Sequence, residues 1–261
     1  MKKYIYLRSS PDWHKIKSID QYLEANKNSR SLMKNWLPIL KYAILEWNRT
    51  FKINYFDFRH KMKEVTIENI SKLKDAYIVT KSDKQILDLE KEDFLLYLID
   101  DDDWVSENVF DQNYLKLEDN DDVVVWPFGF FRSDHVMITD IKKPIDDIRW
   151  VYSNNAIITS KGYRKLCEVA VDFLEDHREV DVCCQNNFVI KITHQVLSAY
   201  NHSPASATKL WGHHKHGGGS IRNLISGYGQ IPLIPEELSW SYPYAKKIWN
   251  LILSLERKVF I

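Results

Sequence analysis

Four consecutive carboxylates, Asp100, Asp101, Asp102 and Asp103, follow directly on the apolar run Phe94-Leu95-Leu96-Tyr97-Leu98-Ile99. Side by side they repel one another, by roughly 1 kcal/mol per close pair even in water. A divalent cation reverses the sign of that interaction, because hard cations take carboxylate oxygens as ligands. If extended backbone continues through the run, period-two alternation puts Asp100 and Asp102 on one side and Asp101 and Asp103 on the other. Two same-side carboxylates at the mouth of a sheet suit Mg²⁺ or Mn²⁺, with a diphosphate completing the shell. The plainer reading is a solvated turn in which Asp103 caps a helix starting at Trp104. An apolar strand feeding straight into four acids favours the cation.

A second cluster is built from histidine and glycine. The chain has only 8 glycines in 261 residues, and Gly212, Gly217, Gly218 and Gly219 fall together with His213, His214 and His216. Glycines let backbone approach an anion closely, and Lys215 and Arg222 supply charge for a phosphate. A neutral imidazole such as that of His214 is also a metal ligand. A loop closing over a nucleotide diphosphate would need these parts; a bare surface loop is the simpler account. The string is neither a P-loop nor a G-x-G-x-x-G fingerprint, since the strand and helix context is wrong. Upstream, His194 and His202 suit sugar hydroxyls or diphosphate oxygens. A general base for an attacking hydroxyl needs a carboxylate near it; Glu179 and Asp181 are the candidates, with Asp134 a weaker one.

Elements must position these groups. Tyr4–Leu7, Ile53–Phe58, Ala76–Val79, Phe94–Ile99, Val123–Trp126, Arg149–Ile158 and Phe188–Ile192 read as strands. Helical spacing runs from Leu32 to Asn48, where Pro38 should kink or divide it. A short helix is expected over Thr66–Leu73 and a helix over Gly162–Asp176, with a last helix over Tyr244–Lys258. The continuous apolar character of Phe94–Ile99 suits a strand covered on both faces by helices. The alternation predicts an α/β fold with a mostly parallel central sheet flanked by helices, and a mixed C-terminal region. With no repeat and no linker-like stretch, residues 1–261 read as one domain, with a donor-binding half over about 1–120 and an acceptor-side half over about 121–261. Ligands of open α/β sheets bind beyond the carboxyl ends of the strands, and three predicted strands exit into polar residues there: Arg8-Ser9-Ser10, Thr80-Lys81-Ser82-Asp83 and Asp100 to Asp103.

The string Leu98-Ile99-Asp100-Asp101-Asp102-Asp103-Trp104, continued through Phe110-Asp111, resembles the DxD signature of GT-A glycosyltransferases, and is similar to bacterial family-2-like and rhamnosyltransferase-like sequences. The likeness of arrangement covers about the first 170 residues, and the acidic motif is its specific part. It implies a GT-A-like fold in which Asp100, Asp102 and Asp103 bind Mn²⁺ or Mg²⁺, helped by His214 from the C-terminal region. It further implies that Arg8, Ser9, Ser10 and Asp101, with Lys215 and Arg222, bind a nucleotide-sugar donor. Asn154 and Asn155 fall where such enzymes place acceptor contacts, joined by His194 and His202. The implied reaction is sugar transfer to a glycan or lipid-linked saccharide, in bacterial surface polysaccharide synthesis. The family's usual ED base motif has no obvious counterpart, which leaves the base and the stereochemistry open.

Composition bounds the alternatives. Lys+Arg and Asp+Glu are each 36, so the formal charge is zero, and a nucleic-acid partner, which calls for a basic excess, is not expected. Three cysteines, two of them adjacent, argue against a disulfide framework and for a reducing compartment. With no signal-like or membrane-spanning stretch, a cytoplasmic protein is expected. The last helix carries Ile248, Leu251, Ile252, Leu255 and Val259 on one face with Lys246, Lys247, Arg257 and Lys258 nearby, which suits peripheral contact with an anionic membrane; core packing is the plainer account. Two further readings stay open: transfer from another pyrophosphate-activated donor, by phosphoribosyl or nucleotidyl transfer, and a non-catalytic carbohydrate-binding protein of the same fold.

Overall fold

A computed structural model describes residues 1–8, 15, 16, 18–25, 37–139, 141, 153–170, 174, 179–201 and 204–257. The chain falls into two compact units. One gathers residues 1–9, 68–130 and 138–200, and the other residues 10–67, 131–137 and 201–261. Both are assembled from stretches separated in sequence.

The first unit is organised by a six-stranded sheet. Its strands are β1 (Lys2–Arg8), β2 (Ala76–Val79), β3 (Phe94–Asp100), β5 (Val123–Val125), β8 (Ala156–Thr159) and β9 (Ile190–Ile192), in the order β2-β1-β3-β8-β5-β9. β1 pairs in parallel with both β2 and β3, and β5 in parallel with β9; β8 runs antiparallel to β3 and to β5. The sheet is therefore mostly parallel, as the sequence predicts. Period-two alternation divides its side chains between two cores. Tyr4, Tyr6, Leu96, Leu98, Val123, Val125 and Ile158 face one way, beneath Tyr163 and Leu166 of α6 (Ser160–Val169). Ile5, Leu7, Leu95, Tyr97, Ile99, Val124, Trp126 and Ile157 face the other, with Ile70, Leu73 and Leu115. Burial on both faces explains why β3 is apolar at every position. A second sheet, four-stranded, has the order β4-β10-β6-β7, from β4 (Trp104–Val105), β6 (Phe128–Phe131), β7 (Val136–Ile138) and β10 (Ser198–Asn201).

The described part of the second unit is mostly helical. α2 (Leu37–Phe51) takes in Pro38 and runs unbroken from there to Phe51; the stretch 32–36 of the expected helix lies outside the described residues. Ile53–Phe58, expected as a strand, instead opens α3 (Tyr55–Ile70). The Asn54 side chain accepts the Phe56 N–H at 2.8 Å, and Asn48 accepts that of Tyr55 at 2.8 Å. This capping starts a helix, and the buried Tyr55, Phe58 and Met62 fall on one helical face. The short helix expected over 66–73 is the end of this element. Around Trp47 the rings of Phe51, Tyr55 and Phe58 make close contacts.

The closing helix (Tyr242–Arg257) buries Tyr244, Ala245, Ile248, Trp249, Ile252 and Leu255. Trp249 meets the rings of Phe131 and Tyr228. The apolar face that suits a membrane surface in the sequence is covered by the protein's own core. Among the described residues no helix is long and apolar enough to cross a membrane. Cys183 is buried, Cys184 half-buried and Cys167 exposed.

Candidate functional site

The acidic run stands at the carboxyl end of β3, beside the carboxyl end of β1. The β1–β3 register pairs Leu7 with Ile99 and Arg8 with Asp100, and the Arg8 Nε lies 3.0 Å from Asp100 Oδ1. Arg8 is buried while Asp100 keeps about a fifth of its side chain exposed, at 22%. The chain then turns, with the Asp103 N–H donating to the Asp100 carbonyl at 3.3 Å. Asp101, Asp102 and Asp103 are all buried, at 5%, 9% and 0% exposure, so the acids are not a solvated turn. Nor does Asp103 cap a helix, because Trp104–Val105 continues as β4, paired antiparallel with β10.

Buried polar groups brace this turn. Asn154 Nδ2 donates to Asp103 Oδ2 at 2.6 Å, and the Tyr97 hydroxyl donates to the Asn154 carbonyl at 2.7 Å. Burial pushes the Tyr97 hydroxyl well above the ordinary phenol range, and the nearby Asp103 carboxylate adds to the shift. Trp126 Nε1 donates to Ser198 Oγ at 3.0 Å, and Tyr97 stacks on Trp126. On the far side of the turn, Asn69 clamps the backbone of Val105, accepting its N–H at 2.8 Å and donating to its carbonyl at 2.9 Å.

Of the residues singled out in the sequence, the structure therefore gathers Arg8, Asp100, Asp101, Asp102, Asp103 and Asn154. Asn154 and Asn155 are buried, at 1% and 0% exposure. Asn155 donates its amide to the Trp126 carbonyl at 2.7 Å, so neither asparagine presents its amide nitrogen to solvent. His194 is exposed, between β9 and β10. Glu179 and Asp181 lie on the helix Glu179–Gln185, their side chains outside the described residues, as are Ser9, Ser10 and His202.

Lys215, Arg222 and His214 belong to the second unit. Lys215 Nζ sits over the Trp211 ring at 4.3 Å and Arg222 is exposed. His214 Nε2 is 3.3 Å from Glu46 Oε2, with both side chains more than nine-tenths buried. Burial holds the His214 imidazole below its ordinary pKa, Glu46 opposes that shift and His213 adds to it. Tyr97, Trp126, Ser198, Asn69 and Glu46 were not legible as site residues, because their partners lie far away in sequence.

Among the described residues no three His, Cys, Asp or Glu side chains converge to hold a metal ion. The donor chemistry nevertheless fits a hard cation. Mg²⁺-type sites often use one or two carboxylates plus substrate phosphates rather than a complete protein cage. Among the described residues, the buried Asn154 Oδ1 also lacks a hydrogen-bond partner.

No family model matches the chain, and no curated protein matches it. Among solved structures it is similar to the inositol-1-phosphate CTP transferase from T. maritima. The identity is 12% and the TM-score 0.35, over 87% of this chain and 97% of that chain. That likeness is too remote to carry function across.

Proposed function

We propose that the protein is a metal-assisted transferase that grips a nucleotide substrate by its pyrophosphate, and that the group it moves is a sugar, delivered to a hydroxyl of a glycan or lipid-linked saccharide. The observation that carries this reading is the buried acidic turn at the carboxyl end of β3, flanked by the Arg8 guanidinium at the end of β1. Crevices outside the carboxyl ends of parallel strands are where open α/β sheets bind ligands. Asp102 and Asp103 are the residues that would hold Mn²⁺ or Mg²⁺; when bound, the ion supplies charge stabilisation for a departing diphosphate. Arg8 neutralises Asp100 at the strand ends. The DxD resemblance is what favours a sugar as the transferred group. Glu179 and Asp181 remain the candidates for the base that takes the acceptor proton, and His194 for an acceptor contact.

The same carboxylates would equally serve nucleotidyl transfer, the reaction class named for the T. maritima protein, so the test includes it. Thermal shift with Mn²⁺ and a panel of sugar nucleotides, nucleoside triphosphates and phosphoribosyl pyrophosphate should single out sugar nucleotides. Donor turnover should then vanish in Asp102→Ala and with a chelator. Pyrophosphate release from a triphosphate would assign nucleotidyl transfer instead. Glycan binding without any metal-dependent nucleotide binding would make the protein a carbohydrate-binding module and end the transferase reading.

A further inference from the structure

Asn154 is 1% exposed, and its amide is used on one side only. The nitrogen donates to Asp103 at 2.6 Å, while Oδ1 has no hydrogen-bond partner among the described residues. The reverse orientation would set an amide oxygen against a carboxylate oxygen at that distance, two acceptors facing each other, so the hydrogen-bond network itself assigns the nitrogen to Asp103. The residue has little freedom to turn away. Tyr97 holds its carbonyl, and the next residue is locked to Trp126 by two bonds, Asn155 Nδ2 to the Trp126 carbonyl at 2.7 Å and the Trp126 N–H to the Asn155 carbonyl at 3.1 Å. A buried acceptor left unsatisfied costs about 1–3 kcal/mol. Such an oxygen, on an amide already bonded to Asp103, is open to a hydrogen-bond donor or to a cation.

We infer that Asn154 completes the acidic run as a divalent-cation site, its amide nitrogen fixing the Asp103 carboxylate and its amide oxygen offered to the same cation. The inference rests on the reading of the acidic run as metal-binding, and adds to it a ligand 51 positions away in sequence. Amide oxygens are hard ligands for Mg²⁺, Mn²⁺ and Ca²⁺ chemistry. An uncharged oxygen adds a ligand without adding to the repulsion among four neighbouring acids, and the hydrogen bond it entails restricts Asp103 to one orientation.

The test uses Mn²⁺ alone, read by thermal shift and by electron paramagnetic resonance titration, with no turnover needed. Asn154→Leu keeps the branched shape but removes both amide atoms, and should weaken Mn²⁺ binding by about 10- to 100-fold, the usual effect of losing a group that orients a metal ligand. Asn154→Asp places a carboxylate against Asp103. Its metal-free form should melt below wild type, and Mn²⁺ should raise its melting temperature by more than it raises that of wild type. Wild-type Mn²⁺ affinity in Asn154→Leu, or an Asn154→Asp protein whose response to Mn²⁺ is no greater than wild type's, overturns the inference. Should Asn154→Leu fail to fold, the Asn154→Asp comparison decides alone. A nucleoside diphosphate arm separates the two claims. Nucleotide binding that needs Mn²⁺ but ignores residue 154 removes the inference and keeps the proposed function, while Mn²⁺ binding governed by residue 154 without nucleotide binding does the opposite. Wild-type protein indifferent to Mn²⁺ removes both.

Discussion

Arg8 and Asp100 are register partners at the ends of two adjacent parallel strands, with Nε and Oδ1 3.0 Å apart. One of the four acids thus has its counter-ion supplied by the fold itself, from a strand laid down 92 residues earlier by the numbering. The guanidinium is buried, so the pair is not a screened surface contact.

Removing the cation should therefore hurt stability as well as binding. Arg8→Met keeps the aliphatic stem but leaves Asp100 without its partner at the edge of a buried acidic turn. Losing one member of a buried pair costs about 3–5 kcal/mol, and the partial exposure of Asp100 reduces this to roughly 2–3 kcal/mol. Urea denaturation measures it. Arg8→Lys should restore only part of the loss, because an ammonium lacks the planar fork of the guanidinium. A variant as stable as wild type would mean the pair is incidental.

Asp122 predicts an acid-sensitive element away from the site. Its carboxylate is buried, which disfavours ionisation. The Lys165 ammonium, the Val189 N–H at 2.9 Å and Lys161 outweigh that burial and hold the group below the ordinary carboxylate range. A depressed carboxyl contributes stability that is present above the unfolded value, about 3.9, and is lost as pH falls through the folded one. Denaturation midpoints of wild type should fall from pH 4.5 towards pH 3. Asp122→Asn should be less stable at pH 7 and show a shallower decline over that window. Parallel pH profiles for the two proteins would contradict the assignment.

Gly162 lies in the first turn of α6, and a Cβ there would come within 2.2 Å of the Asp122 carbonyl oxygen. That oxygen accepts the Thr159 N–H at 3.0 Å and cannot retreat freely. Gly162→Ala should destabilise the first unit by about 1–3 kcal/mol, the range for forcing a methyl into a packed place, despite the better helix propensity of alanine. Chemical denaturation checks this, and an alanine variant of equal or greater stability would show that α6 can shift.

The strands that carry this site were legible because their signal is local. β1, β2 and β3 are short apolar runs with polar exits, and Arg8 and the acids stand where those runs end. Ile53–Phe58 misled for a local reason too, since Tyr55, Phe56 and Phe58 fit either period and only the capping side chains of Asn48 and Asn54 settle it as helix. What could not be read was partnership across long separations. Nothing near Asn154 in sequence says that its amide meets Asp103, and nothing near Tyr97 marks it out within an apolar strand. Asn69 looks like any polar helix residue until β4 comes to lie against it. The clustered histidines were conspicuous, but nothing in the sequence pairs them with Glu46, one of three charges on α2 beside Lys41 and Arg49.

That last pairing makes the final prediction. His214 is buried against α2, with the Tyr42 ring edge-on at 5.3 Å, His213 beside it and Glu46 Oε2 at 3.3 Å from Nε2. Glu46 Oε1 meanwhile accepts the Ile221 N–H at 3.0 Å. Burial lowers the imidazole pKa and His213 lowers it further, against the pull of Glu46. The folded protein thus favours neutral His214. Its stability is highest above the unfolded histidine value, about 6.5, and declines as pH falls below it, since protons bind the unfolded chain first. Glu46→Gln retains an acceptor for Ile221 but removes the Glu46 charge that favours the protonated ring. The loss of melting temperature between pH 7.5 and pH 5.5 should therefore be larger in Glu46→Gln than in wild type, and smaller in His214→Gln. Equal losses in all three proteins would show that this pair does not set the acid response of the second unit.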